Sequence, residues 1–186
     1  PENPKTATYI AYICDEITRN YDIDGIHLDY IRYPEQEKLK KSSLPICREN
    51  ITRIVRAVNA RVKKNKPWVK VSCSPLGKYD DLTRYRSNGW NAYTTVAQDA
   101  QGWLRDGLMD QLYPMMYYKD NHFFPFAADW NENAHGRTIS SGLGIYFLSP
   151  REGNWKIDMV RRQLYFLRSE GLGHAFFRCK FLLDNV

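Results

Sequence analysis

Residues 21–34, Tyr-Asp-Ile-Asp-Gly-Ile-His-Leu-Asp-Tyr-Ile-Arg-Tyr-Pro, gather the groups best suited to chemistry. Alternation along a strand puts Gly25, His27 and Asp29 on one face and Ile26 and Leu28 on the other. With the apolar pair turned toward a helix layer, His27 and Asp29 face away from it, and Asp29 sits at the strand's end. A carboxylate there, ringed by Tyr30, Arg32 and Tyr33, can act as acid, base or nucleophile toward a glycosidic bond. The same spacing also fits an Asp29–Arg32 ion pair that merely closes a loop. His27 has two readings too: a proton relay or hydrogen-bond donor to sugar, or a satisfied core histidine.

Cleaving a glycosidic bond normally takes two carboxylates, about 5–5.5 Å apart for retention or about 6.5–9.5 Å for inversion. Asp120 is the first choice for the second, with Asp80 and Asp81 behind it, and each also reads as a solvated loop charge. Aromatic residues crowd the same stretches: Tyr30, Tyr33, Tyr79, Trp90, Tyr117, Tyr118, Phe123 and Trp155. Rings have flat apolar faces that can stack on sugars, which makes Trp90, Tyr117 and Tyr118 candidates for binding, although each ring taken singly also reads as packing. His122, His135 and His174 show no ligand spacing with acids or cysteines, so neither a metal nor a cofactor is expected.

These groups need a scaffold, and the chain supplies one by alternating helix and strand. Ile10, Ile13, Cys14 and Ile17 recur at helical spacing within residues 5–20. A strand follows at 23–30, then a helix at 45–64 carrying Ile51, Ile54, Val55, Val58 and Val62 on one stripe. The pattern continues with a strand at 69–74, a helix at 92–106, a strand at 109–117 and a shorter helix at 124–134. It ends with a strand at 138–147, a helix at 156–169 and a strand at 174–179. Five such units predict parallel strands joined by right-handed crossovers. No glycine-rich loop joins a strand to a helix, so the nucleotide-binding open sheet lacks its signature. Polar and aromatic residues instead follow the strands, as in a (β/α)8 TIM-type barrel, whose active site lies at the strand C-termini. A full barrel takes eight strands and about 250 residues; five strands predict its C-terminal portion, with 1–186 as one domain.

Composition sets the outer limits. Of 186 residues, 43% are hydrophobic and 14% aromatic, which excludes a disordered chain. No heptad persists, and no apolar run approaches the roughly 18–20 residues of a membrane span. The net charge is +6, which would suit an anionic glycan, while no nucleic-acid-binding motif accompanies it. The runs at 38–41 and 61–66 read as a solvated loop and a helix end favoured by the helix dipole. Cys14, Cys47, Cys73 and Cys179 are far apart and form no disulfide framework; Cys14 and Cys73, among apolar residues, are expected as buried thiols. Asn50-Ile51-Thr52 matches a glycosylation sequon but falls at a helix start, where a chance match is expected.

The stretch DIDGIHLDYIRYP (22–34) resembles the signature of the bacterial glycosyl hydrolase-like family ten. Further stretches agree in order: PENPKTATYIAYICDEITRN (1–20), VSCSPLGKY (71–79), GWNAYTTVAQDAQGWLRDGLMDQLYPMMYY (89–118) and SSGLGIYFL (140–148). The resemblance implies a TIM-barrel glycan hydrolase-like protein whose first three strands are not in this chain, so that those strands or an oligomeric partner would be needed. It implies an exported protein, periplasmic, outer-membrane-attached or extracellular, acting on a polysaccharide or on peptidoglycan glycan. By position, it makes Asp29 the acidic residue at a strand end. It places Arg32, Tyr33, Ser74, Gly77, Trp90, Asn91, Asp99, Trp103, Pro114 and Tyr117 in the cleft or its support. Three departures stand out: Met115 where family members often have Gln, Tyr30 where many carry a second Asp, and a looser ending, GHAFFRCKF (173–181). The expected function is hydrolysis of O-glycosidic bonds by carboxylate acid/base catalysis. The rivals are a non-catalytic carbohydrate-binding barrel and, behind it, a polyanion-binding protein.

Overall fold

Helix α1 (Pro4–Asn20) starts where its sequence dictates. Asn3 accepts the Lys5 N–H at 2.9 Å, and Pro4, which has no N–H to lose, occupies the first turn. The computed structural model describes residues 1–85 and 89–183. After α1 come β1 (Gly25–Leu28), α2 (Leu44–Asn65), β2 (Lys70–Cys73), α3 (Ala92–Thr95), α4 (Ala100–Arg105) and β3 (Gln111–Leu112). Then follow α5 (Phe124–Glu132), β4 (Thr138–Leu143), α6 (Ile157–Ser169), β5 (Gly173–Phe176) and the short α7 (Lys180–Leu183).

The five strands form one parallel sheet in sequence order, β1 to β5. Its register sets Gly25 beside Lys70, Ser72 beside Gln111, Leu112 beside Ile139 and Ser140 beside Gly173. A parallel sheet wound in strict order, with a helix between successive strands, is a partial (β/α) barrel. Among the described residues, β1 and β5 each have a strand partner on one side alone.

The core lies between the sheet and its helices. Val55, Val58 and Val62 of α2 pack in it with Val71 and Cys73 of β2 and with Trp103, Leu104 and Leu112. Trp103 is fully buried, and its indole N–H donates to Thr52 at 2.8 Å. Cys14, Cys47 and Cys73 are buried free thiols, whereas Cys179 is exposed. Among the described residues no helix is long and apolar enough to cross a membrane.

The expected helix at 92–106 is two helices. Ala97 between them has φ 54°, which interrupts the α-helical path. Asn91 caps α3 through the Thr94 N–H at 2.8 Å, and Asp99 caps α4 through the Gly102 N–H at 3.1 Å. The break releases the Gln98 side chain into the core, where it accepts the Leu76 N–H at 3.0 Å and donates to the Ile31 carbonyl at 3.1 Å. The expected strand at 109–117 is cut short, since Pro114 brings no donor to a ladder. Contact resumes at Met115, which bridges Leu76 on one side and Gly142 on the other. The strand expected at 138–147 ends at Leu143 in a 3-10 turn, and the one expected at 174–179 ends at Phe176 before α7.

Candidate active site

The β1 alternation falls as the sequence dictates. Ile26 is buried toward the helices, and His27 opens onto the other face of the sheet. There the imidazole lies between two serines, Nδ1 2.9 Å from the Ser72 Oγ and Nε2 2.8 Å from the Ser74 Oγ. The Tyr113 ring stands edge-on to it at 5.4 Å. With Tyr117, Gly142 and the β5 end at Ala175, Phe176 and Phe177, these residues line a cavity of about 300 Å³. Burial holds the His27 pKa below its ordinary value, against the pull of the Asp29 charge. Burial likewise pushes the Tyr117 hydroxyl up to about 12, helped by Tyr146 and by Asp29. Asp29 itself is exposed, directly after β1, and its Oδ1 accepts the Tyr30 N–H at 2.8 Å.

Beside this cavity lies a second, of about 230 Å³, lined by Arg32, Leu76, Trp90, Met115, Tyr117 and Tyr118, so that Tyr117 borders both. Arg32 does not meet Asp29. Its ion pair is with Glu35, at 2.6 Å, and the hydroxyl of Tyr30 also donates to Glu35. The loop-closing acid is thus Glu35, three residues on across Pro34. Sequence reading missed it because nothing in the pattern ranked one acid over the other. The Arg32 guanidinium carbon lies 4.4 Å from the Tyr30 ring centre and 5.4 Å from that of Trp90.

Ser74, His27 and Tyr117 thus come together at one cavity, and Arg32, Trp90, Tyr117 and Tyr118 at the next. Of the other expected binding residues, Tyr30 lines neither cavity and lies against Arg32 and Glu35, and two point inward. Tyr33 is 1% exposed, its hydroxyl accepting from Asn50 of α2 at 3.1 Å; its side chain is a core element, which corrects the expectation that it meets sugar. Asn91, also 1% exposed, is spent on capping α3 and on a 3.2 Å bond to Asp80. Asp120 lines a separate cavity with Lys119, Trp155 and Lys156, and faces Arg162 at 3.6 Å. Tyr79 and Phe123, expected among the post-strand rings, serve the interior: Tyr79 donates to Asp99 at 2.6 Å and Phe123 is fully buried. The sequence reading also missed Ser72, Tyr113 and Gly142, of which Ser72 and Gly142 were detectable in principle from strand alternation. Among the described residues, no group of three or more His, Cys, Asp or Glu side chains gathers as a metal site would.

Parallel strands in this order, alternating with helices, are the architecture of a (β/α) barrel. Solved structures share that fold. The glycoside hydrolase domain of PgaB (BpsB) from Bordetella bronchiseptica superimposes with a TM-score of 0.65 at 12% identity, over 100% of this chain and 60% of that one. An endo-1,4-beta-D-mannanase from Thermotoga petrophila RKU-1 gives 0.51 at 12% identity, over 75% of this chain and 43% of that one. The glycosyl hydrolase-like 10 family model matches residues 30–146, and the chain belongs to that family. Glycosyl hydrolase YngK of Bacillus subtilis (strain 168) is 26% identical over 157 residues, covering 72% of this chain and 31% of YngK. Glycosyl hydrolase DigH of Escherichia coli (strain K12) is 26% identical over 136 residues, 63% of this chain and 31% of DigH. The chain thus spans less than a third of the length of these curated relatives.

Proposed function

We propose that this chain forms part of a glycoside hydrolase that cleaves O-glycosidic bonds in a polysaccharide or in peptidoglycan glycan, with Asp29 as a catalytic carboxylate. The observation that carries the reading is the position of Asp29: exposed and directly after β1, the strand whose His27 opens into the cavity at the C-terminal end of the sheet. His27, Ser74, Tyr117, Trp90 and Tyr118 would contact sugar, and Tyr30 with Arg32 would fix the loop that carries Asp29. Asp120 stays a proposed second acid, to be tested separately because it borders another cavity and faces Arg162. The open sides of β1 and β5 suit further barrel units, and a glycan substrate suits an exported protein.

One observation favours the non-catalytic reading, a carbohydrate-binding barrel: no carboxylate lines the His27 cavity among the described residues. Release of new reducing ends from peptidoglycan and a polysaccharide panel, compared with Asp29→Asn in the protein carrying this segment, separates the two. A parent that is active and a variant slowed about a hundredfold or more support the catalytic role. Equal activity removes Asp29 from the chemistry. Glycan binding without hydrolysis in either leaves the binding barrel.

A further inference from the structure

The cavity of about 400 Å³ that Trp155 lines with Asp120 is built around a ring platform. The loop between β4 and α6 folds back on itself, with the Ser149 carbonyl accepting the N–H groups of Gly153 and Asn154 at 3.1 and 3.0 Å. It returns Trp155 to Phe147, whose carbonyl accepts the Trp155 backbone N–H at 2.7 Å. There the indole stacks on the Phe147 ring, centroids 4.6 Å apart and planes 20° from parallel. The stack leaves no room for a side chain at Gly153, where a Cβ would stand 2.8 Å from a ring carbon of Phe147. The facing wall is fixed too, since buried Gln163 of α6 donates to the carbonyl of Tyr118, next to Lys119, at 2.8 Å. Phe147 thus backs one face of the indole. Over the ring reaches Lys119, exposed on a flexible stem, its Nζ 5.0 Å from the ring centre.

An aromatic row connects this cavity to that of His27. Tyr117, which lines the latter, meets Tyr146 edge-on at 5.9 Å; Tyr146 meets Phe147 at 4.1 Å, and Phe147 carries Trp155. Lys119 follows β3 and Trp155 follows β4, so both cavities open at the C-terminal end of the sheet. Phe147, Trp155 and α6 lie beyond residues 30–146, the stretch shared with the family.

We infer that Trp155 forms a distal subsite for an uncharged sugar unit of the same glycan chain that enters the His27 cavity, its indole receiving the apolar face of the sugar once Lys119 swings aside. The inference rests on the glycan reading above and adds that the protein grips an extended chain. Charge selects the occupant. A cation would meet Lys119, Lys156 and Arg162, and an anion would meet Asp120, Asp158 and the electron-rich face of the indole. A neutral sugar suits both sets: its hydroxyls accept from ammonium groups and donate to carboxylates, while its C–H face lies on the ring.

The test is calorimetric binding to the Asp29→Asn protein carrying this segment, so that hydrolysis plays no part. The probes are cellohexaose, chitohexaose and mannohexaose, each against its trisaccharide. The expected result is at least one hexasaccharide bound about tenfold tighter than its trisaccharide, the worth of one stacked ring. Trp155→Ala should erase that advantage and leave trisaccharide affinity unchanged, and Trp155→Phe should keep part of it. An advantage that survives Trp155→Ala overturns the subsite, as does an equal weakening of the trisaccharide or the absence of any length advantage. Should Trp155→Ala not fold, nitrogen-15 labelling of the tryptophans decides. The Trp155 indole resonance, assigned through Trp155→Phe, should shift in step with hexasaccharide binding, and a stationary signal overturns the subsite. A length advantage at Trp155 without reducing-end release would place the subsite on a binding barrel. Reducing-end release without a length advantage would remove the subsite and leave the hydrolase reading standing.

Discussion

The side-chain oxygen of Gln98 accepts the backbone N–H of Leu76 at 3.0 Å, tying the break between α3 and α4 to the segment that follows β2. The amide nitrogen of the same side chain donates to Ile31, in the segment after β1. One fully buried glutamine therefore sets the spacing of the two segments that present Asp29 and Ser74. Gln98→Ala would leave a backbone N–H and a carbonyl unmatched in the core. We expect a loss of about 2–4 kcal/mol in stability, read by urea unfolding. A loss below about 0.5 kcal/mol would mean that these loops hold their places by other contacts.

Gly77 is required by proximity. A Cβ there would stand 2.4 Å from the Met115 carbonyl oxygen and 2.7 Å from the Tyr118 ring. Gly77→Ala must push β2's exit away from the segment after β3, and we expect a cost of about 1–3 kcal/mol, as for overpacking. Thermal melting checks the cost. An unchanged melting temperature would show the two segments to be free to separate.

Asp110 should govern part of the acid limb of stability. Burial alone would raise its pKa, but Lys63 at 2.7 Å, the Val71 N–H at 2.8 Å and the charge of Lys70 more than reverse this, so the value lies below that of an ordinary carboxylate. The unfolded chain then binds the proton more readily than the folded one. This stabilisation is complete above the ordinary carboxylate pKa near 4 and fades as pH falls through the lower folded value. Asp110→Asn should flatten the stability profile below about pH 4. A slope matching the parent's would refute the assignment.

His27 carries a similar dependence nearer neutrality. Burial lowers its pKa more than the Asp29 charge restores it, so the neutral imidazole between Ser72 and Ser74 is the favoured state. Its contribution is present above the ordinary histidine value near 6.5 and is lost as pH falls through the folded one. Nuclear magnetic resonance titration of the ring should place His27 below a histidine in an unfolded peptide. A midpoint at or above that reference would contradict it.

The alternation of helix and strand was legible because one-sided burial leaves a periodic trace, as in Ile51, Ile54, Val55, Val58 and Val62 of α2. The β1 face was legible for the same reason. The split at Ala97 was not, because an alanine in a left-handed conformation has no sequence signature and its neighbours continue the helical pattern. Tyr33 and Asn91 sit in segments rich in cleft residues, yet both point inward. Position along the chain cannot separate the side of a loop that faces solvent from the side that packs on α2 or caps α3. Arg32's choice of Glu35 over Asp29 depended on how the loop folds back after Pro34, a tertiary matter.

The burial of three of the four thiols makes the chain its own unfolding gauge. In the folded protein an alkylating reagent meets Cys179 at once, while Cys14, Cys47 and Cys73 stay out of reach. Cys73 is further protected chemically, since burial pushes its thiol far above the ordinary value and starves it of reactive thiolate. Because Cys14 lies on α1, Cys47 on α2 and Cys73 on β2, the order in which the slow three acquire label would report which layer of the molecule loosens first.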